Sequence, residues 1–185
     1  MHELEHKLGY TFQDQPLLIQ SLTHPSLAAE RKDTIGDNQR LEFLGDAVLQ
    51  LILTLHLYRE LPDRAEGDLT KARASLVSRR ALACCAERLG IGAHMQLGKG
   101  EEANGGRERE SNLADAFEAV MGAVYLDGGI EAATGVTLRV MEDDLEFAME
   151  GEDTTNPKGR LQEELQAIQR ESPVYRIRPR KGRTT

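Results

Sequence analysis

The fold of this chain is decided by two stretches, Gln39-Arg40-Leu41-Glu42-Phe43-Leu44-Gly45-Asp46-Ala47 and Leu113-Ala114-Asp115-Ala116-Phe117-Glu118-Ala119. Each stretch is an apolar segment that carries two carboxylates. The carboxylates of a pair are four residues apart in the first stretch and three apart in the second, so a helix places both on one face. Like charges at that spacing repel each other, and carboxylates among apolar neighbours need a partner. The pattern therefore predicts two helices and a divalent-cation site.

Each predicted helix also has an interior glycine close to its acids, Gly45 in the first and Gly122 in the second. A glycine inside a helix costs up to ~1 kcal/mol relative to alanine. We expect close approach of the two backbones to offset this cost and to bring all four carboxylates into one cluster. Ligands that are all oxygen favour Mg²⁺, with Mn²⁺ as a substitute, over Zn²⁺.

The composition favours a helical protein with an uneven charge distribution. Of 185 residues, 39% are apolar and none is Trp, and the long segments are rich in Ala, Leu, Glu and Arg. The net charge of −8 argues against a simple basic nucleic-acid binder. Residues 156–185 nevertheless carry eight basic and three acidic side chains, a net of +5, which leaves −13 for residues 1–155. This division suggests metal chemistry in the body and polyanion contact in the tail.

Two features favour a cytoplasmic protein. Cys84 and Cys85 are adjacent in an apolar helical stretch, a poor arrangement for a disulfide, so we expect both to be reduced and buried. The first seven residues are polar and do not resemble a signal peptide. The longest apolar run without charge, Ala47–Tyr58, is shorter than the ~20 residues of a membrane span, so we expect no membrane partner.

Apolar periodicity and breaker residues predict the order of elements. Helices are predicted over Glu3–Leu8, Gln15–Leu22, Arg40–Leu61, Leu69–Leu89 with Asp68 as N-cap, Leu113–Leu126 with Ser111 or Asn112 as cap, and Ile130–Met149. Loops are predicted over Glu30–Asn38 and Leu97–Asn112, a turn over Asp127–Gly129, a linker over residues 150–157, and a short helix and strand over 158–169 and 174–178.

Three other interpretations of the acidic motifs are weaker. Residues His2–His6 match the H-E-x-x-H zinc-protease pattern, but a helix frays so close to the chain start and no supporting fold precedes it. A di-iron bundle needs a Glu-x-x-His on each of two helices, and neither decisive stretch supplies the histidine. Four exposed helix charges would not explain the core-type residues around each acid, or the absence of Lys and Arg four residues away.

Residues 38–49, Asn-Gln-Arg-Leu-Glu-Phe-Leu-Gly-Asp-Ala-Val-Leu, resemble the signature of the ribonuclease III family of double-stranded-RNA endonucleases. Further matches follow in the family's order: Leu22-Thr23-His24-Pro25-Ser26, Glu66-Gly67-Asp68-Leu69-Thr70, Leu97-Gly98-Lys99-Gly100-Glu101 and Leu113–Ala119. The resemblance implies an all-α endonuclease domain over residues 1–149 that forms a homodimer and cuts both strands of duplex RNA.

The resemblance also implies roles for particular residues. Positions matching Glu42, Asp115 and Glu118 ligate Mg²⁺ in the family, and those matching Asp46 and Glu118 are catalytic. The position matching Glu66 lies near the RNA cleft, and Gln39, Lys71 and Arg73 are further candidates there. Products would carry 5′-phosphate and 3′-hydroxyl ends, and substrates would include precursors of rRNA and other structured RNAs such as mRNA and tRNA.

This chain departs from the family pattern at two places. Gln39 stands where the family usually has Glu, and a neutral amide is a weaker ligand, which puts that outer acid's role in doubt. Residues 158–185 resemble only the start of a double-stranded-RNA-binding domain, its first helix and strand, so we expect a truncated segment that does not fold alone.

Two functions of other classes stay open at this point. The same scaffold could be a non-catalytic or weakly active duplex-RNA-binding dimer, which the loss of any of the four acids would favour; none is lost. A helical metal-binding protein unrelated to RNA would require the extended match to arise by chance.

Overall fold

The computed structural model describes residues 1–31 and 36–150, and this part of the chain is helical, with one isolated parallel bridge between Thr23 and Gln96. The elements, numbered in chain order, are α1 His2–Leu8, α2 Gln15–Ser21, α3 Pro25–Glu30, α4 Gln39–Glu60, α5 Glu66–Leu76, α6 Arg79–Leu89, α7 Ile91–His94, α8 Lys99–Ala103, a 3₁₀ turn Gly106–Glu108, α9 Glu110–Val140 and α10 Glu142–Glu150. The all-α prediction is confirmed for these residues. The predicted linker beyond residue 150 and the predicted RNA-binding segment lie outside the described residues.

The centre of the domain is the packing of α4 against α9, with α6 and α2 also packed against α9. The middle of α9 is buried on all sides, since every residue from Ala119 to Val124 is shielded from solvent. The apolar residues of α4 that point toward it, such as Leu49 and Leu53, are buried as well. Burial of this kind contributes ~25 cal/mol per Å² of apolar surface, so this crossing is the main hydrophobic core.

The backbones of α4 and α9 meet at the two interior glycines. A Cβ built on Gly45 would lie 1.8 Å from the carbonyl oxygen of Glu118, and one on Gly122 would lie 2.3 Å from the carbonyl oxygen of Leu41. Real Cβ atoms do not approach other atoms so closely. The predicted close approach of the two helices is confirmed, and only glycine fits at either position.

Helix α4 is also the one helix among the described residues that could span a membrane by length and composition, a test that core helices of globular domains pass too. Its buried face packs against α9, and it carries Glu42 and Asp46. We therefore interpret it as a core helix.

The predicted helix Leu69–Leu89 is wrong in detail, because two helices occupy this region. Helix α5 begins at Glu66 with Ala65 as its N-cap, so the predicted cap Asp68 lies inside the first turn. Helix α5 ends at Leu76, and after Val77 the Ser78 hydroxyl accepts the Ala81 N–H and caps α6. Serine at an N-cap supplies a bond that the helix interior lacks, which favours a new start here.

One helix forms where no element was predicted, and one predicted loop contains helical turns. Pro25 occupies the first position of α3, and the ring of His24 accepts the Ser26 N–H as its cap. Residues Leu97–Asn112 contain α8 and the 3₁₀ turn, and α9 begins at Glu110, before the predicted caps. The predicted turn Asp127–Gly129 coincides with an interruption of α9 at Gly129, whose φ is 76°.

The two cysteines differ in environment. Both are free thiols, but Cys84 is exposed and only Cys85 is buried. The prediction that both are buried is wrong for Cys84, because adjacent residues on a helix point about 100° apart.

Candidate metal centre

Helices α4 and α9 bring the predicted acids together beside the glycine crossing. One carboxylate oxygen from each of Glu42, Asp115 and Glu118 lies within 4.8 Å of the others, and all three side chains are half-buried. Two oxygens on one ion are separated by at most about twice the metal–oxygen distance of ~2.0–2.6 Å. The three carboxylates are therefore close to the spacing at which they could hold one cation. Among the described residues this is the one group of three or more potential ligands that lie so close together.

Asp46 lies beside this group and outside it. Its charge acts on both Glu42 and Glu118, so it belongs to the same acidic cluster. Its Oδ1 accepts a hydrogen bond of 2.9 Å from the side-chain amide of Gln50. The expected convergence of all four carboxylates is met for three of them, whereas Asp46 lies outside the group that could share an ion and is held by the Gln50 amide.

The environment of Glu118 strongly disfavours its charged form. Burial and, in decreasing order, the charges of Asp46, Glu42 and Asp115 together raise the pKa of Glu118 to about 8. The cation of Arg79, the first residue of α6, acts in the opposite direction. In the metal-free protein this carboxyl therefore holds a proton at neutral pH.

The other two acids of the group are disfavoured in the same way. Burial raises the pKa of Glu42, helped by the charges of Asp115, Asp37 and Asp46. Burial also raises the pKa of Asp115, against smaller opposing effects of Arg79 and His24. All three carboxyls would ionise more readily if a cation were placed between them.

The donor set fits a hard divalent cation. The four acids form no salt bridge within residues 1–31 and 36–150, so no described Lys or Arg neutralises them directly. Half-buried carboxylates without such a partner typically coordinate metal, and three carboxylate oxygens match the preference of Mg²⁺ and Mn²⁺.

A network of hydrogen bonds holds the start of α9, where Asp115 lies. Glu101 accepts from the side chains of Asn112 at 2.8 Å and Arg109 at 2.6 Å, and Asn112 also donates to the Gly106 carbonyl. The segment around α8 is therefore bound to the first turn of α9. The family motif that contains Glu101 thus has a structural part in supporting the acidic site.

The motif around His24 forms hydrogen bonds with residues 96–98, immediately before α8. The Ser26 hydroxyl lies 2.8 Å from His24 Nδ1 and accepts the Gly98 N–H at 2.9 Å. Next to it, the His24 N–H donates to the Gln96 carbonyl. His24 is therefore part of the frame beside the acids.

The four residues predicted at the RNA cleft have separate local contacts. Glu66 is exposed and accepts a hydrogen bond from the Thr70 hydroxyl. Lys71 is also exposed, and its Nζ forms an ion pair with Asp68 Oδ1 at 3.7 Å. Gln39 is exposed at the start of α4. Arg73 is half-buried and donates to the Thr54 hydroxyl of α4 at 3.0 Å. None of them belongs to the group of three acids that can share an ion.

The rejected zinc pattern at the chain start is explained by packing. Glu5 is 4% exposed and accepts the Phe12 N–H at 3.0 Å and the Gln15 amide at 2.6 Å. Burial raises its pKa, but these hydrogen bonds and nearby His2 outweigh burial and lower the pKa overall. Its role is to hold the α1–α2 connection.

Comparison with known proteins matches this architecture to one family. A family model described as Ribonuclease-III-like matches residues 14–145. The chain is 48% identical to "Ribonuclease 3" of Symbiobacterium thermophilum over 175 residues, 95% of this chain and 74% of that protein. It is 44% identical to "Ribonuclease 3" of Caldanaerobacter subterraneus over 94% of this chain and 76% of that protein.

The chain belongs to the ribonuclease III family. It is thus an endoribonuclease. The fold agrees, since the nuclease domain of ribonuclease III from Campylobacter jejuni superposes with a TM-score of 0.72 at 43% identity, over 78% of this chain and 97% of that one. In that Campylobacter domain, a region involved in dimer formation shows structural flexibility.

Sequence reasoning missed Gln50 at this ribonuclease III site, and it indicated Arg79 only as a possible phosphate contact, not as a neighbour of the acids. Gln50 follows Asp46 by four residues, and a Gln–Asp pair at that spacing is a recognised helix contact, so the signal was present. Arg79 acts on Asp115 and Glu118 from a different helix, and no local pattern indicates that proximity.

Proposed function

We propose that this chain is a metal-dependent endonuclease that hydrolyses double-stranded RNA with Mg²⁺, for which Mn²⁺ can substitute. The products would carry 5′-phosphate and 3′-hydroxyl ends. The observation that carries the proposal is the convergence of Glu42, Asp115 and Glu118 at a helix crossing that only glycine permits. Membership of the ribonuclease III family supports the substrate class.

Each acid has a distinct role in this proposal. Glu42, Asp115 and Glu118 would hold Mg²⁺, which when bound supplies charge neutralisation and an acidified water. Asp46, which is not needed to bind the ion, would accept a hydrogen bond from the attacking water and orient it. Glu118 would act with Asp46 in catalysis, as the family resemblance implies, through the ion that its ionised carboxylate helps to hold.

Duplex RNA would be recognised through its shape and its phosphates, which explains an acidic domain that acts on a polyanion. Glu66, Gln39, Lys71 and Arg73 are the proposed cleft residues. The substrates would be rRNA precursors and other structured RNAs, including mRNA and tRNA, in the cytoplasm. The basic residues 156–185 would contribute further phosphate contacts.

We also propose a homodimer formed through α4. Four large apolar side chains on one side of this helix are exposed: Phe43 at 81%, Leu51 at 51%, Leu55 at 41% and Tyr58 at 70%. Helical spacing places them on one stripe, next to the turn that carries Glu42. An apolar stripe of this kind is typical of a protein–protein interface.

Sedimentation analysis tests the dimer. Phe43→Glu should shift the wild-type dimer to monomer at micromolar concentration, because it places a charge in the apolar stripe. Phe147→Glu changes another exposed phenylalanine, 77% exposed on α10, and should leave the dimer intact. A wild-type monomer, or equal effects of the two variants, would contradict this interface.

The activity test incubates the purified chain with long duplex RNA, with Mg²⁺ or with chelator, beside Asp46→Asn and Glu118→Gln. Wild type alone should cut the RNA, and only with metal. Direct ligation of the products without prior phosphorylation would establish 5′-phosphate ends. Equal cleavage by the variants would place the activity elsewhere, and RNA binding without cleavage would instead support the weakly active duplex-binding dimer.

A further inference from the structure

We propose that Gln50 is a positioning residue that fixes the carboxylate of Asp46 for the cleavage reaction. The Gln50 Nε2 donates to Asp46 Oδ1 at 2.9 Å, from one turn further along α4. Among the described residues this is the one hydrogen bond accepted by any of the four acidic side chains at the site. The inference rests on the proposed RNA cleavage and adds to it a residue outside the motifs that indicate the family.

The chemistry of an amide suits this place. A Lys or Arg at this position would neutralise Asp46 and compete with the cation, whereas a Glu would repel the Asp46 carboxylate. The Gln50 amide restrains the carboxylate and leaves its negative charge in the cluster. It also occupies only one oxygen, so Oδ2 has no hydrogen-bond partner among the described residues and is left to accept from a water or a substrate hydroxyl.

Gln50 is itself tied to the neighbouring helix. The Thr54 hydroxyl donates to the main-chain carbonyl of Gln50 at 2.6 Å, and Arg73 of α5 donates to that hydroxyl at 3.0 Å. The line of contacts runs along one face of α4, from Asp46 through Gln50 and Thr54 to α5. The helix that carries the proposed cleft residues Glu66 and Lys71 is therefore held against the same face of α4 that orients Asp46.

The kinetic test uses Gln50→Met, which keeps the side-chain length and removes the donor, with Gln13→Met as the matched change at an exposed position. We expect Gln50→Met to lower kcat on duplex RNA about tenfold, the size of one lost positioning hydrogen bond, with KM within about twofold. The midpoint of thermal unfolding should stay within about 3 °C. Gln13→Met should match the wild type in all three.

A second variant uses charge. Gln50→Glu keeps the shape but replaces the donor with an anion next to Asp46, so its kcat should fall further than that of Gln50→Met. A wild-type rate for either Gln50 variant would overturn the proposal. A fall in rate accompanied by an equal rise in KM or by lost thermal stability would show a structural role and overturn it as well.

A readout independent of catalysis separates this inference from the proposed function. The side-chain amide signal of Gln50 in an ¹⁵N–¹H NMR spectrum, assigned by its absence in Gln50→Met, should move in Asp46→Asn and stay in place in Gln13→Met. An unchanged signal in Asp46→Asn would show that the contact does not exist in solution. If the signal moves but the wild type cuts no duplex RNA, the proposed function fails while the Gln50–Asp46 contact stands.

Discussion

Acidic side chains occur in two regions of this domain under opposite conditions. In the first region Asp127 accepts hydrogen bonds from the Tyr10 hydroxyl at 2.7 Å and from the N–H groups of Gln13 and Asp14 at 2.8 Å each. Burial raises the pKa of Asp127, but these three donors outweigh burial and lower it. In the second region Glu118 has no comparable donor among the described residues, and its pKa rises to about 8.

Burial and hydrogen-bond donors together set these two acids apart: Asp127 is the less buried and has three donors, whereas Glu118 is the more buried and has no comparable donor among the described residues. Asp127 is satisfied within the protein and fastens the start of α2 to α9. The side chains of Glu42, Asp115 and Glu118 are brought together by two packed helices and accept no hydrogen bond from a described residue, so this arrangement favours a cation between them. Structural acids and metal-binding acids can thus be distinguished by their hydrogen-bond donors.

The largest expected effect comes from breaking the crossing that creates the second region. Gly45→Ala would place a methyl group 1.8 Å from the Glu118 carbonyl oxygen, so the helices must separate. We expect the free energy of unfolding to fall by about 3 kcal/mol or more, and we expect the variant to lose metal binding. Urea denaturation measures the first and calorimetric Mg²⁺ titration the second.

Gly135→Ala, in the partner helix α9, is the matched control for that change, because a Cβ on Gly135 would meet nothing within 4 Å. It should be neutral or stabilising by up to ~1 kcal/mol, since alanine is the better helix former. Similar behaviour of the two variants would show that the glycine crossing does not determine the site.

The next largest effect tests the first region. Asp127→Asn removes the charge that three donors share, so we expect a loss of about 1.5–3 kcal/mol in the free energy of unfolding at pH 7. The folded-state pKa of Asp127 is lowered, so its contribution is present above the unfolded pKa and is lost as pH falls through the folded value. The difference between variant and wild type should therefore shrink in acid. A constant difference would contradict the role of the charge.

In the second region, removing the charge of an acid should raise the free energy of unfolding instead of lowering it. Without metal, Glu118→Gln should stabilise the protein by about 1 kcal/mol at pH 8, after allowance for solvent screening, while RNA cleavage is lost. The folded-state pKa of Glu118 is raised, so its contribution to stability is fully present below the unfolded value and is lost as pH rises from 4.5 toward 8. Chemical denaturation at pH 5 and pH 8 measures this, and a variant less stable than wild type at pH 8 would reject it.

The smallest expected effect is the number of protons released when the domain binds Mg²⁺. Since Glu118 holds a proton at pH 7 without metal, binding of Mg²⁺ should release close to one proton per site at pH 7 and fewer at pH 9. Calorimetry in two buffers of different ionisation enthalpy gives the number. Asp127→Asn should release the same number as wild type, because that acid takes no part in binding.

Much of this arrangement could be predicted from the sequence. The spacing of Glu42 and Asp46, and of Asp115 and Glu118, indicated the shared helix faces, and the glycines Gly45 and Gly122 indicated the close crossing. Both signals are local and belong to the two longest helices, where periodicity is least ambiguous. The family resemblance then added the reaction.

The remaining features depend on contacts between distant residues or on weak signals. The break at Ser78 has no Gly or Pro to mark it, and the apolar pattern continues across it. Helix α8 forms in a Gly-rich charged segment because Glu101 is bound by Arg109 and Asn112. The line from Asp46 through Gln50 to Arg73 crosses between two helices, so only part of it is visible in the sequence.

The contact between Gly45 and Gly122 also fixes the register of α4 against α9. If either helix slid along the other by one turn, ~5.4 Å, a residue with a Cβ would replace glycine at the point where the backbones touch. In α4 the residue one turn away is Leu41 or Leu49, which could not fit there. The two acid pairs therefore face each other in a single alignment, and the protein keeps that alignment before any metal or RNA arrives.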